Sequence, residues 1–320
     1  MLSLAVLNPA PFAFAEASAH PGLHFIAVGD TGSAAEQQRL VAEALAKTAE
    51  ASASNNPVQF MLFLGDNFYE EGVNSVEDPQ WQDKLEKIYD PVRLPMPFYA
   101  VLGNHDWLRG KQDVEIDYSK AHPESRWKME AHYYKRQFFA EGVDHSTGTP
   151  LLEVFAIDTQ AWSKTTLQVA MYKNKHLGEE QLAWLEKELM SSKARWKMVC
   201  AHHPIYTNGA HGHDAQLSSL REFLDPLFKR AKVDCFIAGH DHDLERIQIA
   251  GSPTLFLISG AGGKLRPKGF SDYPSFFADK PGFLSVNLTD TEMKGEFLDA
   301  NLNVLDSFVR KPISGTEPAK

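Results

Sequence analysis

The chain has 320 residues, of which 43% are hydrophobic and 23% charged, as in an ordinary globular protein with a sizeable core. Its formal net charge of -10 argues against binding to a nucleic-acid backbone, because such binding depends on Lys and Arg. The only two cysteines, Cys200 and Cys235, are too few for a zinc ribbon. Each lies in an apolar run, so we expect two buried thiols rather than a disulfide.

The N-terminal segment gives opposing signals about secretion. Residues Ala17, Ser18 and Ala19 have the small-residue spacing of a signal cleavage site, but residues 1–19 contain no Lys or Arg, and a basic region normally precedes a secretory signal. No apolar run approaches the roughly 18 residues of a membrane-spanning helix. We therefore expect no membrane partner.

The first half of the chain predicts alternating strands and helices. After a first strand, Ser33 and Glu36 fit a capping box that opens a helix to about Ala51. A strand, a helix and a second strand in succession build parallel sheet. A second helix is predicted over residues 79–89, and residues 107–135 are predicted to be a long loop with short helical pieces.

The second half predicts a strand over residues 151–157 and two amphipathic helices, over 178–192 and 217–231. Beyond Asp243, apolar alternation and turn residues predict antiparallel strands. The expected fold is α/β, a four-layer α-β-β-α sandwich in which two packed mixed β-sheets are flanked by helices.

Five short apolar runs end in similar polar residues. The runs are HFIAVGD ending at Asp30, FMLFLGDNFY with Asp66 and Tyr69, FYAVLGNHD with Asn104 and His105, KMVCAHHP with His202 and His203, and CFIAGHDH with His240 and His242. Such runs are typical of buried strands, and ligands bind beyond the carboxyl ends of strands in open α/β sheets. Glycines at these ends suit tight turns, namely Gly29, Gly65, Gly103 and Gly239. We therefore expect one site, with ligands for two metal ions, at the C-terminal ends of the strands.

The order of these motifs, GD, GDNxY, GNHD, HxP and GHxH, resembles that of the calcineurin-like metallophosphoesterases. Tyr69, three residues after Asp66, narrows the resemblance to the short, tartrate-resistant type of purple acid phosphatase. The stretch YSKAHPESRWKMEAHYYKRQF is also similar to that family, and the resemblance extends from about Leu23 over nearly the whole chain.

The resemblance implies a dinuclear metal centre. It assigns to a ferric ion the ligands Asp30, Asp66, Tyr69 and His242. It assigns to a divalent ion, which could be Fe, Zn or Mn, the ligands Asp66, Asn104, His202 and His240. Phenolate and carboxylate are hard oxygen donors that suit Fe(III), whereas imidazole and amide suit a divalent ion.

The resemblance also implies catalytic roles for two histidines. His105 would contact the phosphate, and His211 would assist the leaving group as an acid while a metal-activated hydroxide attacks phosphorus. We expect Asp106 and Asp243 to support the ligands through hydrogen bonds.

The residues alone leave some alternatives open. Asp30 could cap the following helix, and strand alternation sends His202 and His203 to opposite faces; the resemblance favours His202 as the ligand and leaves His203 to pack or hydrogen bond. The remaining histidines are expected on the surface or in loops, namely His20, His24, His122, His132, His145, His176 and His213.

The sequence as a whole predicts an acid phosphatase that hydrolyses small phosphate monoesters. A phosphodiesterase or nucleotide pyrophosphatase is the alternative, and a non-catalytic metal-binding module the third hypothesis. Residues 1–22 are predicted to be an N-terminal extension or signal remnant, residues 23–312 the catalytic domain and residues 313–320 a tail. The predicted location is secreted or periplasmic.

Overall fold

The computed structural model describes residues 22–140, 142–146, 148–163, 172–273 and 275–313. Most of the predicted N-terminal extension and of the C-terminal tail, together with His20, lies outside these residues. The described strands, in chain order, are β1 Leu23–Val28, β2 Phe60–Phe63, β3 Phe98–Ala100, β4 Trp127–Lys128, β5 Tyr134–Phe138, β6 Leu152–Ala156, β7 Trp196–Cys200, β8 Cys235–Ala238, β9 Leu244–Gln248, β10 Leu255–Ser259, β11 Ser275–Ala278, β12 Gly282–Leu288, β13 Met293–Asp299 and β14 Val304–Arg310. The described helices of two or more turns are α1 Glu36–Ser52, α2 Gln112–Ala121, α3 Leu177–Ser191 and α4 Ala215–Ala231.

The strands form two seven-stranded sheets. The first sheet has the order β14-β13-β12-β1-β2-β3-β4, and the second has the order β11-β9-β10-β8-β7-β6-β5. Strands β1 to β4 run parallel, as do β6, β7, β8 and β10. The strands at the other positions pair antiparallel, so both sheets are mixed.

Two apolar cores hold the layers together. One core contains buried side chains from both sheets, such as Phe25 and Ile237, together with Leu45 of α1. The other lies between the second sheet and helices α3 and α4, and includes Leu185 and Phe228. The predicted four-layer α-β-β-α sandwich is therefore confirmed. Cys200 and Cys235 are buried free thiols, as predicted.

The parallel strands of the two sheets bring their C-terminal loops together. The Gly29 N–H, after β1, donates to the Ser259 carbonyl at the end of β10, at 2.7 Å. The Asp30 N–H donates to the Gly65 carbonyl at 3.0 Å. These bonds join loops of different strands, so the polar residues that follow the strands share one edge of the sandwich.

The start of the first helix differs from the prediction. Helix α1 begins at Glu36, its N-cap residue is Ala35, and no side chain caps it. The Ser33 hydroxyl instead donates to the Gly263 carbonyl at 3.1 Å. The predicted capping box is wrong because Ser33 hydrogen bonds to a distant loop. Asp30 also lies too early in the chain to cap this helix.

Three other predicted elements are corrected. The helix predicted over residues 79–89 is a short π-helix, Trp81–Glu86. The region predicted to be a long loop with short helical pieces contains the 10-residue helix α2 and the strand β4. The C-terminal strands are not one antiparallel half: β12 to β14 join the first sheet, and β10 pairs parallel with β8 in the second. In the described ranges, no helix has the length and apolar character needed to cross a bilayer.

Candidate metal centre

Asp30, Tyr69 and His242 bring three donor atoms together at the end of β1. The Tyr69 hydroxyl donates to Asp30 Oδ1 at 3.0 Å and lies 3.1 Å from His242 Nε2. His242 Nε2 and Asp30 Oδ1 are 3.4 Å apart. All three residues are buried. Three ligand-type atoms within 3.4 Å of one another could share one cation.

Burial disfavours the ionised forms of the side chains in this first group. It raises the pKa of the Asp30 carboxyl to about 8, and it raises the pKa of the Tyr69 phenol well above 10. Burial, with the nearby Arg266 charge, lowers the pKa of His242 to about 3. A bound cation reverses this situation, since it favours carboxylate, phenolate and neutral imidazole. The donor set therefore fits a cation with a preference for hard oxygen ligands.

Asn104, His202 and His240 form a second group beside the first. Asn104 Oδ1 lies 3.1 Å from both His202 Nε2 and His240 Nδ1, and the two imidazole nitrogens are 3.2 Å apart. Burial and neighbouring imidazoles lower the pKa of His240 well below 6.5, which keeps the ring neutral. Neutral imidazole is the form that binds a metal ion.

Asp66 lies between the two groups. Its Oδ1 is 3.4 Å from His202 Nε2 in the second group. In the first group, ligand atoms of Asp30, Asp66 and His242 all lie within 4.8 Å of one another. The backbone N–H of His105 donates to the same Asp66 Oδ1 at 2.9 Å, which fixes the carboxylate. Asp66 is the side chain whose position allows it to bridge two ions.

The backbone at three of these residues adopts an uncommon conformation. Asp30, Asp66 and His240 have φ values of 57°, 51° and 70°. This left-handed region is uncommon for residues that carry a Cβ, and such conformations cluster at functional sites. Each of these residues follows a glycine, but the candidate ligand itself has the positive φ of the turn.

The glycines at the strand ends serve mainly close packing. Gly65 has a φ of +85°, and a Cβ there would lie 2.7 Å from His202 Nδ1. At Gly103 a Cβ would lie 2.2 Å from both the backbone nitrogen and Oδ1 of Asp66. Loops from three strands therefore approach to distances that only glycine permits. The predicted need for glycine is met, with positive φ at Gly65 and with close approach at Gly103.

Asp106 links two of the ligand loops. It is buried and accepts hydrogen bonds from the backbone N–H groups of Gly103, Asn67 and Phe68 at 2.8, 3.1 and 3.2 Å. It thereby ties the loop after β3 to the loop after β2. Burial and the Asp66 charge raise its pKa to about 7. Asp243 is also buried, but within the described chain its carboxylate oxygens have no hydrogen-bond partner.

The two adjacent histidines of the HHP motif differ in their contacts. His202 Nδ1 lies 2.9 Å from the Leu64 carbonyl. A proton on Nδ1 leaves the Nε2 lone pair facing Asn104 and His240, as expected of a metal ligand. His203 Nδ1 lies 2.7 Å from Thr159 Oγ1, although His203 also has a ring nitrogen within 4.8 Å of the other two imidazoles.

His105 and His211 lie at the open side of the two groups, and each side chain is 23% exposed. His105 Nδ1 lies 2.6 Å from the Glu70 carbonyl, and its ring packs against the Tyr69 ring. His211 Nδ1 lies 2.7 Å from Asp241 Oδ1, and its ring centre is 4.2 Å from that of His240. The two histidines thus border the two groups from different sides.

Comparison with known proteins gives the family. The sequence profile of the calcineurin-like phosphoesterases matches residues 23–244. Purple acid phosphatase 4 of Arabidopsis thaliana is 32% identical over 95% of this chain and 89% of its own. Tartrate-resistant acid phosphatase type 5 of Sus scrofa is 30% identical over 88% of this chain and 84% of its own. The chain belongs to the purple acid phosphatases.

A solved structure supports the fold of this purple acid phosphatase family member. GAP50, the anchor in the inner membrane complex of Plasmodium, is 24% identical, covers 91% of this chain and 89% of its own, and superimposes with a TM-score of 0.77. At that identity the similarity concerns the fold alone. The predicted family and its α-β-β-α architecture are both confirmed.

The structure also contains site residues that the sequence analysis missed. Lys264 Nζ lies 3.6 Å from the centre of the Tyr69 ring and pairs with Glu70 at 2.8 Å. Arg266 Nη1 lies 3.0 Å from His211 Nε2. Both cations follow β10, in a segment with no metal-ligand residue types, so no motif draws attention to them.

Two of the remaining histidines are buried, and one of them lies in a strand. His24 is buried in β1, with Nδ1 2.8 Å from the Asn56 carbonyl and Nε2 3.0 Å from Ser285 Oγ. His132 is buried between two carboxylates. The prediction that both lie on the surface or in loops is therefore wrong for His24, which is in a strand. It holds for His132, which precedes β5 in a loop, although the side chain is buried.

Proposed function

We propose that this protein is a metal-dependent acid phosphatase that hydrolyses small phosphate monoesters at a dinuclear centre. The ferric ion would be held by Asp30, Asp66, Tyr69 and His242. The divalent ion, Fe, Zn or Mn, would be held by Asp66, Asn104, His202 and His240. The observation that carries the proposal is the phenol of Tyr69 packed against Asp30 and His242, directly beside the group formed by Asn104, His202 and His240.

The donor chemistry supports two ions of different kind. The first group offers two carboxylates and a phenol, which suit Fe(III), and the second offers two imidazoles and an amide, which suit a divalent ion. When bound, two such ions act as Lewis acids that activate water and neutralise the charge of a phosphoryl group. The family supports a phosphatase over the alternative phosphodiesterase or pyrophosphatase.

The residues of the chain would bind and orient the ester. His105 and His211 border the two ligand groups, where His105 could hydrogen bond to phosphoryl oxygens and His211 would lie on the side of the leaving group. The His105 ring is held by the Glu70 carbonyl and the His211 ring by Asp241. Because both rings are fixed before substrate arrives, little reorganisation is required in the transition state.

Metal analysis and hydrolysis of an aryl phosphate test this proposal together. We expect purified protein to contain close to two metal ions per chain, at least one of them iron, and to release phosphate from p-nitrophenyl phosphate at mildly acidic pH. Asn104→Ala removes a proposed ligand, and Asn174→Ala is its matched control. Asn174 is a loop residue that hydrogen bonds to Glu180, so this variant shows what an Asn-to-Ala substitution does outside the metal site. A protein that binds no iron and hydrolyses no aryl phosphate would contradict the proposal, whereas one that binds metal but hydrolyses no phosphate ester would support the non-catalytic metal-binding module.

We also propose residues 23–312 as the catalytic domain and a secreted or periplasmic location. The small residues Ala17, Ser18 and Ala19 support processing before the first strand. Sequencing the N-terminus of the mature protein from its native source would test this. A mature protein that retains residues 1–19 would contradict it.

A further inference from the structure

Arg266 is brought to the candidate centre by the segment that follows β10. The backbone N–H of Gly262 donates to the Gly29 carbonyl at 3.2 Å, and the backbone N–H of Arg266 donates to the His242 carbonyl at 3.0 Å. The first bond fixes the segment to the loop before Asp30, and the second fixes Arg266 beside a candidate ligand. The arginine is therefore placed by backbone hydrogen bonds, independently of its side chain.

The guanidinium of Arg266 contacts the divalent side of the centre. Its Nη1 lies 3.0 Å from His211 Nε2 and 3.2 Å from His211 Nδ1, and it lies 3.4 Å from the His240 carbonyl. Because the rings of His211 and His240 pack at a tilt of 37° with their centres 4.2 Å apart, Arg266 lies at the outer edge of the imidazole pair. This is the side on which the resemblance places the leaving group.

Both ring nitrogens of His211 have close polar neighbours in this arrangement. The Asp241 carboxylate lies 2.7 Å from His211 Nδ1. Its two oxygens also accept from the His211 backbone N–H at 3.1 Å and from the Thr207 hydroxyl at 2.5 Å, so Asp241 acts as an acceptor and His211 donates its Nδ1–H to it. Arg266 Nη1 lies almost equally far from both ring nitrogens, at 3.0 Å from Nε2 and 3.2 Å from Nδ1, so the guanidinium packs against the ring. With the Nδ1–H of His211 directed at Asp241, the donor exposed at this position is the guanidinium.

No carboxylate of the described chain forms an ion pair with Arg266. Lys264, two residues earlier, pairs with Glu70 at 2.8 Å. Among the ion pairs of the described chain, none includes Arg266, and its Nε and Nη2 groups make no hydrogen bond to the described residues. The side chain is half-buried. Free donors and an uncompensated charge at the open side of the centre suit an anionic oxygen.

We propose that Arg266 is a catalytic residue of the proposed phosphatase, and that it donates hydrogen bonds to the leaving-group oxygen of the ester. His211 then acts as the positioning residue that holds the guanidinium. The inference rests on the proposed function and extends it, because it assigns the contact with the leaving group to an arginine that no motif identifies.

The step balances without a proton from Arg266. The oxygen of water forms a bond to phosphorus, and the bond between phosphorus and the ester oxygen breaks with its electron pair left on that oxygen. The attacking water keeps one proton on the released phosphate and gives the other to solvent. The leaving oxygen gains a proton from solvent, since guanidinium does not deprotonate in proteins. Arg266 stabilises the negative charge that develops before that proton arrives.

The dependence of rate on the leaving group tests the proposal. We expect Arg266→Ala to lower kcat by about 10²–10³-fold for an alkyl phosphate, as for loss of an oxyanion donor. For p-nitrophenyl phosphate, whose leaving group is stable without help, we expect a loss at least ten times smaller. The iron content and visible spectrum should be unchanged. Arg266→Lys should recover part of the loss on the alkyl ester.

Lys268→Ala is the matched control, since Lys268 lies on the same segment but pairs with Asp272 at the surface. It should leave kcat for both esters within about twofold of wild type. His211→Ala combined with Arg266→Ala should lower kcat no further than Arg266→Ala alone, because contacting residues are not additive.

Equal losses of Arg266→Ala on both esters, or none, with metal retained, would overturn this role for Arg266 and leave the proposed function standing. If Arg266→Ala does not retain metal, Arg266→Gln, which keeps the shape and some donors, is compared with wild type on the same two esters, and the same criterion applies. A wild-type protein that cleaves neither ester would instead refute the proposed function.

Discussion

His202 Nε2 and His240 Nδ1 face each other at 3.2 Å, although 38 residues separate them in the chain. His202 directs Nδ1 at the Leu64 carbonyl at 2.9 Å, so its Nε2 presents a lone pair to the Asn104 amide oxygen 3.1 Å away, which is also an acceptor. A cation between them and Asn104 would satisfy all three groups at once. The two rings come from β7 and β8, which are neighbouring parallel strands, so the sheet itself brings them together.

His202→Ala is expected to have a far larger effect than His203→Ala. His202 Nε2 faces Asn104 and His240, whereas His203 hydrogen bonds to Thr159. We expect His202→Ala to lose about one metal ion per chain and at least about 10²-fold in kcat, and His203→Ala to retain both ions. Elemental analysis and phosphate release measure the two quantities. Loss of metal from His203→Ala alone would reverse the assignment.

Gly103→Ala is expected to destabilise the fold and disrupt the site together. A Cβ at this position would lie 2.2 Å from Asp66, so either loop must move, at a cost of about 1–3 kcal/mol or more in the free energy of unfolding. Thermal unfolding and metal content are the measurements. Gly251→Ala is the comparison, because Gly251 has positive φ but open space; it should cost about 1–2 kcal/mol and retain metal. Normal metal content in Gly103→Ala would show that the two loops can separate.

His132 predicts a pH dependence of stability that is separate from the metal centre. Burial by itself lowers the pKa of His132, but hydrogen bonds to Asp113 and Asp158 outweigh it and raise the pKa to about 9. Because the folded-state pKa lies above the unfolded value of about 6.5, this stabilisation is complete below pH 6.5 and is lost as the pH rises through 9. The difference between the folded and unfolded pKa values of His132 corresponds to roughly 3 kcal/mol in the free energy of unfolding.

The measurement is the difference in unfolding free energy between wild type and His132→Gln across pH 6 to 10. That difference should shrink as the pH rises. His176→Gln is the control, since His176 is exposed and, among the described residues, forms an ion pair with Glu179 of its own turn. A difference that stays constant or grows with pH would show that His132 is not held as a cation.

The convergence of the five strand ends could be predicted from the sequence because each signal is local. An apolar run, a glycine and a ligand-type residue such as Asp30 or His240 stand next to one another in the chain. The sheet topology then brings these residues together, since parallel strands end at the same edge. The family resemblance added the assignment of each ligand to one of two ions, with Asp66 assigned to both.

Features that depend on distant partners could not be predicted in this way. Ser33 fits a helix cap locally, but its hydroxyl is used by Gly263, some 230 residues away. His132 shows no pattern of burial, because its partners Asp113 and Asp158 come from other parts of the chain. Arg266 reaches the centre through backbone bonds of an irregular segment. Alternation along β12 to β14 predicted strands but contains no information about which sheet they join.

The visible spectrum of iron-loaded protein, compared with Tyr69→Phe, tests the central claim most directly. A phenolate bound to Fe(III) gives a charge-transfer band, so we expect a purple or pink wild type and a Tyr69→Phe variant whose band is lost or strongly shifted. Tyr89→Phe is the control, since Tyr89 is buried and its hydroxyl contacts Gln38; its band should match wild type. A colourless wild type with full iron content, or an unchanged band in Tyr69→Phe, would contradict the account.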